Sequence, residues 1–340
     1  MSPLISTDPA HRPILDFVAG ELASVERVFS EQLESGLPAV NRLCEHVERY
    51  RGKMLRPILV LVSGLAANQG GPKDGSFHLS AGHHVLAAVC EMIHMATLVH
   101  DDVLDDAEVR RRGVTVNALR GNEAAVLLGD YLISNSFHLC STLDRPAINR
   151  RIGEVTNTLC AGELLQLHHR DQWSIDEATY FEIIERKTAS LIGVCCELGA
   201  ALSTTDDAVI RGLAEYGRRI GVAFQIQDDL LDVVGDEQVV GKSLGRDLDK
   251  GKLTLPMILY FSASRPGARE RMLRWLADPG DHNRSDAVNE LLADSGAIAR
   301  ARSVAEREVN SAKAALESVV DSAARRLLLD MADEVVRRRF

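Results

Sequence analysis

Two aspartate-rich pentads, Asp101-Asp102-Val103-Leu104-Asp105 and Asp228-Asp229-Leu230-Leu231-Asp232, lie far apart in a chain of 340 residues. In a helix, each pentad stacks its first and last carboxylates one turn apart on one face. Stacked like charges repel, and the flanking stretches Ile93 to Val99 and Val222 to Ile226 are largely apolar. Carboxylates set against a core call for cations. Oxygen donors without a Cys/His cage favour a hard ion such as Mg2+, whose shell is commonly completed by substrate phosphates. The pattern points to an enzyme acting on a polyphosphate.

Basic groups recur beside these acids. Arg110-Arg111-Arg112 follows the first pentad, Lys187-Thr188 falls on a later helical stretch, and Lys242 and Lys252 lie either side of a glycine-rich segment after the second pentad. An earlier set, Gly52-Lys53-Met54-Leu55-Arg56-Pro57, opens a helix with Lys and Arg one turn apart. Helix starts with basic side chains grip diphosphates through the backbone dipole, Lys point charges and Arg forks. Two acidic plates and two basic sets suggest two phosphorylated substrates.

The elements that must hold these groups are helices. Ile14, Val18, Leu22, Val25, Phe29 and Leu33 recur at helical spacing and mark an opening helix. Further stretches are expected at about 39–50, 55–68, 79–106, 120–142, 146–169, 175–202, 206–233 and 253–263, with shorter ones near 267–277, 285–294, 297–320 and 322–338. Gly, Pro and Asn/Asp clusters punctuate them. Gly235 to Lys252 breaks the pattern and reads as a mobile flap facing phosphate. No linker or repeat interrupts the chain, so residues 1–340 are expected to form a single all-α domain with several central helices apolar nearly all round.

Composition agrees. Hydrophobic residues make up 46% and charged residues 26%, as in ordinary soluble proteins. Aromatics at 4% argue against a β-rich fold, and a net charge of -10 argues against a general nucleic-acid binder. Six cysteines without CxxC spacing read as buried, reduced thiols. No basic-then-apolar leader opens the sequence, and apolar runs such as Pro57 to Ala67 are too short to span a bilayer. A soluble cytoplasmic protein is expected.

From about Gly52 to Pro256 the landmarks fall in one order. They are the Gly52–Pro57 set, Glu91-Met92-Ile93-His94, His100 with the first pentad, Arg110-Arg111, Gly129-Asp130-Tyr131-Leu132, and Gly162-Glu163 with Gln166. Lys187-Thr188-Ala189-Ser190-Leu191, Phe224-Gln225-Ile226-Gln227 with the second pentad, Gly241-Lys242-Ser243, and Asp247-Leu248 with Gly251 to Pro256 complete the series. In this order they resemble the trans-isoprenyl (polyprenyl) diphosphate synthases. The resemblance implies an all-α fold around a deep central cavity, usually as a homodimer. It implies three Mg2+ ions held by Asp101, Asp105 and Asp228, with Asp102, Asp229 and Asp232 supporting. It further implies ionisation of an allylic diphosphate, attack by isopentenyl diphosphate and loss of a proton. Carried over by position, Lys53, Arg56, His94 and Arg111 would hold isopentenyl diphosphate. Arg110, Lys187, Thr188, Gln225, Lys242 and Lys252 would hold the allylic diphosphate. Arg112 stands where the family commonly has Gly, and Arg51 replaces a common glycine before Lys53.

Plainer readings compete at several positions. His94 alone would read as a satisfied core histidine, and Arg337-Arg338-Arg339 as a solvated tail rather than a diphosphate contact. His100-Asp101 superficially resembles a helical metal-dependent phosphohydrolase, which would not need a second pentad. A non-catalytic partner subunit should have lost part of a pentad, and a terpene cyclase has no use for the isopentenyl grip. Product length turns on Ala96 and Thr97, one turn (roughly 5.4 Å) below the metal face. In the resembling enzymes a bulky aromatic here closes the cavity floor. Small Ala96, Thr97 and the aliphatic Ile93 and Val89 below leave it open, which implies a long-chain product, with a geranylgeranyl-length or farnesyl-length one as the alternative.

Overall fold

The opening apolar stripe becomes α1 (Arg12–Leu33), which buries Ile14, Val18, Val25, Phe29 and Leu33. The computed structural model describes residues 9–48, 52–68, 77–110, 113–234, 246–277 and 284–338. After α1 come α2 (Pro38–Glu48), α3 (Leu55–Ala67) and α4 (Ala81–Leu104). Ser80 caps α4 through a reciprocal pair with His83, satisfying amide donors that a helix start leaves open. A short hairpin, β1 (Val109–Arg110) with β2 (Gly113–Val114), pairs Val109 with Val114 and Arg110 with Gly113. It leads into α5 (Val116–Arg120), α6 (Asn122–Ser141) and α7 (Pro146–His168).

The expected helix over 175–202 is divided. It forms α8 (Glu177–Ile184), a π turn at Glu185–Ala189, and α9 (Ser190–Ala201). Asp176 starts it by accepting from Thr179 N at 2.8 Å. The long α10 (Asp207–Val234) follows, then α11 (Arg246–Asp249), α12 (Leu255–Ala263), α13 (Pro266–Leu276), α14 (Arg284–Asp294), α15 (Ala297–Ala315) and α16 (Ala323–Arg337). Residues 235–245 of the expected flap lie outside the described residues.

α3 is buried along nearly its whole length. It packs against α4 and α9, while α10 packs against α9, α15 and α16, and α4 against α6. The larger apolar core joins α1, α3, α4, α9 and the first half of α10; a second gathers the last turns of α10 with α12 to α15. Both pentads therefore ride on helices anchored by the same packed centre. α4 is long and apolar enough to cross a membrane by length and composition, and 67% of the tested stretch is buried inside the protein. Of the cysteines, Cys44, Cys90, Cys140, Cys195 and Cys196 are buried as expected, and Cys160 is exposed on α7.

Candidate active site

Each pentad sits at the C-terminal end of its helix: Asp101 and Asp102 close α4 with Asp105 as its cap, and Asp228 to Asp232 occupy the last turns of α10. Carboxylates there meet the negative end of the helix dipole, so the placement demands cations. Adjacent residues on a helix point about 100° apart, and this splits the acidic pairs. Asp101 and Asp105 share the cleft face, while Asp102 turns inward, with a side chain only 3% exposed, and accepts from Arg110 Nε at 2.7 Å. Burial lifts the Asp102 carboxyl above its usual range, with Arg110 opposing. Asn117 Nδ2 donates to Asp102 O at 3.2 Å and Ala107 O at 3.1 Å, fixing the turn that delivers Arg110.

The π turn delivers Lys187. Gly162 lets α7 approach that turn closely, because a Cβ there would come within 2.7 Å of Arg186 Cβ and 2.8 Å of Lys187 N. Lys187 Nζ ion-pairs with Glu163, donates to Gln166 Oε1 at 2.9 Å and lies 3.9 Å from Asp101 Oδ1. Burial would lower the Lys187 pKa, but Asp101 and Glu163 outweigh it and hold the ammonium above its usual value. Burial raises Asp101, with Lys187 opposing and Glu163 adding to the rise. One inserted helical residue is a common device for re-aiming side chains at functional sites. Its neighbour Thr188 donates to Gln225 Oε1 at 2.9 Å, which reaches the second pentad.

Asp229 is buried like Asp102. Tyr180 Oη donates to Asp229 Oδ2 at 2.6 Å and Gln225 Nε2 to Oδ1 at 3.0 Å. Burial, reinforced by the nearby Asp247 charge, pushes its carboxyl up to about 8. Asp228 faces outward and pairs with Arg338 Nη1 at 2.9 Å, and the same guanidinium stacks 4.5 Å from the Phe224 ring centroid. The C-terminal arginines are thus not uniformly a solvated tail: Arg337 is 68% exposed, while the Arg338 side chain is 13% exposed. Arg339 lies outside the described residues.

Residues 246–252 join the two pentads. Asp247 N donates to Asp232 Oδ2 at 3.1 Å, and Lys250 Nζ donates to Asp105 Oδ2 at 2.7 Å. Lys252 Nζ lies 3.5 Å from Asp105 Oδ1, and Arg170 Nη2 lies 3.6 Å from it. Desolvation would raise Asp105, but Lys252 and Lys250 more than compensate and hold it below its usual value. Lys250 and Arg170 were not among the expected site residues. Lys250 adjoins a recognised landmark, but nothing in the local pattern marks Arg170. Gly251 adopts φ +66°, and a Cβ there would lie 2.0 Å from Asp171 Oδ1.

At the other basic set, Lys53 is exposed and Arg56 half-buried. Arg56 Nε is buried with no hydrogen-bond partner among the described residues. Burial draws the guanidinium pKa down and the Glu91 carboxylate draws it up. An acceptor arriving from a ligand would satisfy that donor. His94 is half-buried two turns before Asp101 on the same face of α4. Arg111 and Lys242 lie outside the described residues. Ala96 is fully buried and Thr97 donates to His94 O at 2.8 Å. His100 turns from the acids toward α6, with Nε2 3.2 Å from Val126 O and 3.6 Å from Asp130 Oδ1, so it does not extend the acidic plate as a hydrolase ligand would.

The donor set suits Mg2+. Asp101, Asp105 and Asp228 supply oxygens alone and keep 23%, 13% and 42% of their side chains open. Among the described residues no three His, Cys, Asp or Glu side chains gather into a cage. That fits an ion shared with substrate phosphates. Asp102 Oδ1 accepts from Arg110, and the two carboxylate oxygens of Asp229 accept from Tyr180 and Gln225, so both acids are held by protein partners beside the cleft-facing Asp101, Asp105 and Asp228.

Known proteins are similar to this chain over most of its length. The octaprenyl diphosphate synthase of Escherichia coli is 32% identical over 96% of this chain and 98% of its own. A short chain isoprenyl diphosphate synthase of Methanothermobacter thermautotrophicus is 36% identical over 87% of this chain and 90% of its own. The polyprenyl synthase of Caulobacter crescentus, solved with calcium and isoprenyl diphosphate, superposes with a TM-score of 0.87 at 31% identity, covering 97% of this chain and 98% of that one. The sequence profile of the polyprenyl synthetases matches residues 38–294. With paired pentads at two helix ends, and relatives aligned over nearly the whole chain, this protein belongs to the polyprenyl synthetase family.

Proposed function

We propose that this chain condenses isopentenyl diphosphate with an allylic diphosphate to give an all-trans, long-chain polyprenyl diphosphate. The observation that carries the reading is the continuous run of contacts from Asp101 through Lys187 and Thr188 to Gln225 and Asp229, which ties both acidic ends to one basic turn. Three Mg2+ ions on Asp101, Asp105 and Asp228 would act when bound as Lewis acids and a template that neutralise the leaving diphosphate. Lys187, Thr188, Gln225, Lys252 and Lys242 orient the allylic diphosphate. Arg110 is aimed at it by Asp102. Lys53, Arg56, His94 and Arg111 hold isopentenyl diphosphate so that its double bond meets the allylic carbon, and the departing diphosphate collects the proton.

Product length rests on Ala96 and Thr97. Relatives named for short-chain and octaprenyl products are both similar to this chain, and the small pair beneath the acidic face favours the longer product. The whole chain is read as one synthetase domain, since α10 serves both apolar cores. Val126 and Leu127 on α6 and Leu164 on α7 are exposed, which supports a homodimer through those helices. The protein is read as cytoplasmic. The test is purified protein with Mg2+, labelled isopentenyl diphosphate and a series of allylic primers, the products being sized by chromatography. Elongated products that vanish with a chelator are expected. Release of inorganic phosphate without chain growth would overturn the reading.

A further inference from the structure

Asp105 carries more positive charge than one carboxylate needs. Lys250 Nζ sits 2.7 Å from Oδ2, and Lys252 Nζ and Arg170 Nη2 sit 3.5 and 3.6 Å from Oδ1. Three cations repel one another across one acid, and a structural ion pair would require only one. The segments that bring them are themselves pinned. Asp171 N donates to Gly251 O at 3.0 Å, and Lys252 N donates to Asp247 O at 2.8 Å, so the turn after α7 and residues 246–252 are tied together. The Asp247 amide anchors that unit to Asp232 of the second pentad at 3.1 Å. Lys250 also holds an oxygen of Asp105, one of the acids that would hold the metal, and two cations sharing one carboxylate oppose each other.

We propose that Lys250, seconded by Arg170, is an exchange cation: it neutralises Asp105 until metal arrives with the allylic diphosphate, then transfers to the diphosphate oxygens. The inference rests on the prenyl-transfer reading and adds two diphosphate contacts to that site. It makes Lys250 a competitor of the metal alone and a partner of the metal with diphosphate. These two roles change sign when the ammonium is removed.

The test uses the full-length protein without prenyl substrates, titrated first with Mn2+ alone by electron paramagnetic resonance. Inorganic pyrophosphate is then titrated calorimetrically in saturating Mg2+. Lys250→Met is expected to bind Mn2+ about tenfold more tightly and pyrophosphate about tenfold more weakly, the scale of one lost charged hydrogen bond. Arg170→Met should shift both in the same directions by less, and Lys250→Arg should restore pyrophosphate binding. Unchanged affinities, or two affinities that fall together as for a lysine that merely pins the segment, would overturn the proposal. Wild-type chain elongation is measured separately. Its absence would sink the prenyl-transfer reading, whereas the opposed shifts need no turnover.

Discussion

Substituting Asp102 and Asp101 separately by Asn tests whether neighbouring acids in one motif do different work. Asp102 is nearly fully buried and accepts from Arg110 Nε at 2.7 Å, with the arginine a quarter exposed. Removing one member of a fully buried pair costs about 3–5 kcal/mol. Water reaches Arg110, and Asn keeps an acceptor oxygen, so about 2 kcal/mol is the working figure, roughly 30-fold in an affinity. Arg110 is read as an allylic diphosphate contact, so the loss should fall on the KM for that substrate, with half-saturating Mg2+ unchanged. Asp101→Asn removes a cleft-facing oxygen instead. It should raise the Mg2+ requirement and lower turnover by roughly 100-fold or more, the scale of one lost electrostatic element. Initial rates with the allylic primer varied at fixed isopentenyl diphosphate, repeated across a Mg2+ series, separate the two outcomes. If Asp102→Asn moves the Mg2+ requirement as far as Asp101→Asn does, Asp102 is a ligand and its arginine pair is incidental.

Asp229 stays protonated up to about 8 when folded, against an ordinary 3.8, so the folded state holds an extra proton between those values. This contribution to stability is complete below about 4 and falls away as pH rises toward 8. Asp229→Asn removes the dependence, so its melting temperature relative to wild type should rise steadily from pH 5 to pH 8, and a constant gap would refute the assignment. Ala96→Phe should place an aromatic floor one turn below Asp101 and shorten products toward farnesyl or geranylgeranyl diphosphate while condensation continues; unchanged products would show that position 96 does not set length. Leu127→Glu puts a charge on a side chain that is 68% exposed, and light scattering should report monomers where wild type gives dimers. A variant that stays dimeric would move the interface elsewhere.

Much of this was legible in the sequence, for physical reasons that also explain the rest. Long amphipathic or fully apolar stretches gave the helices within a few residues, because periods of three to four residues repeat over many turns. The π turn at 185–189 was not legible, since a single inserted residue leaves composition unchanged and shifts the apolar pattern by only one position. The division within each pentad was legible, because residues i and i+1 on a helix cannot share a face, but the partners that hold Asp102 and Asp229 were not. Arg338 and Arg170 carry no local signal: one meets Asp228 110 positions away, and the other reaches Asp105 from a turn between helices. Such pairings are set by how α7, α10 and α16 pack, which local pattern does not report.

The placement of the acids explains why so many bases converge. Acidic residues are favoured at helix N-termini and disfavoured at C-termini, yet both pentads lie where α4 and α10 end. The arrangement has a functional use. A carboxylate at a C-terminus, with the last backbone carbonyls adding to its field, attracts cations more strongly than the same group elsewhere. Without metal that field must be met by protein, and five segments among the described residues meet it: the hairpin with Arg110, the turn after α7 with Arg170, the π turn with Lys187, residues 246–252 with Lys250 and Lys252, and the end of α16 with Arg338. On the proposed function, Lys187, Lys250, Lys252 and Arg338 would exchange a carboxylate for a diphosphate oxygen once metal occupies the acids, while Arg110 would stay aimed by Asp102. On this reading the charges that complete the fold and those that grip the leaving group are the same charges, in two bonding states.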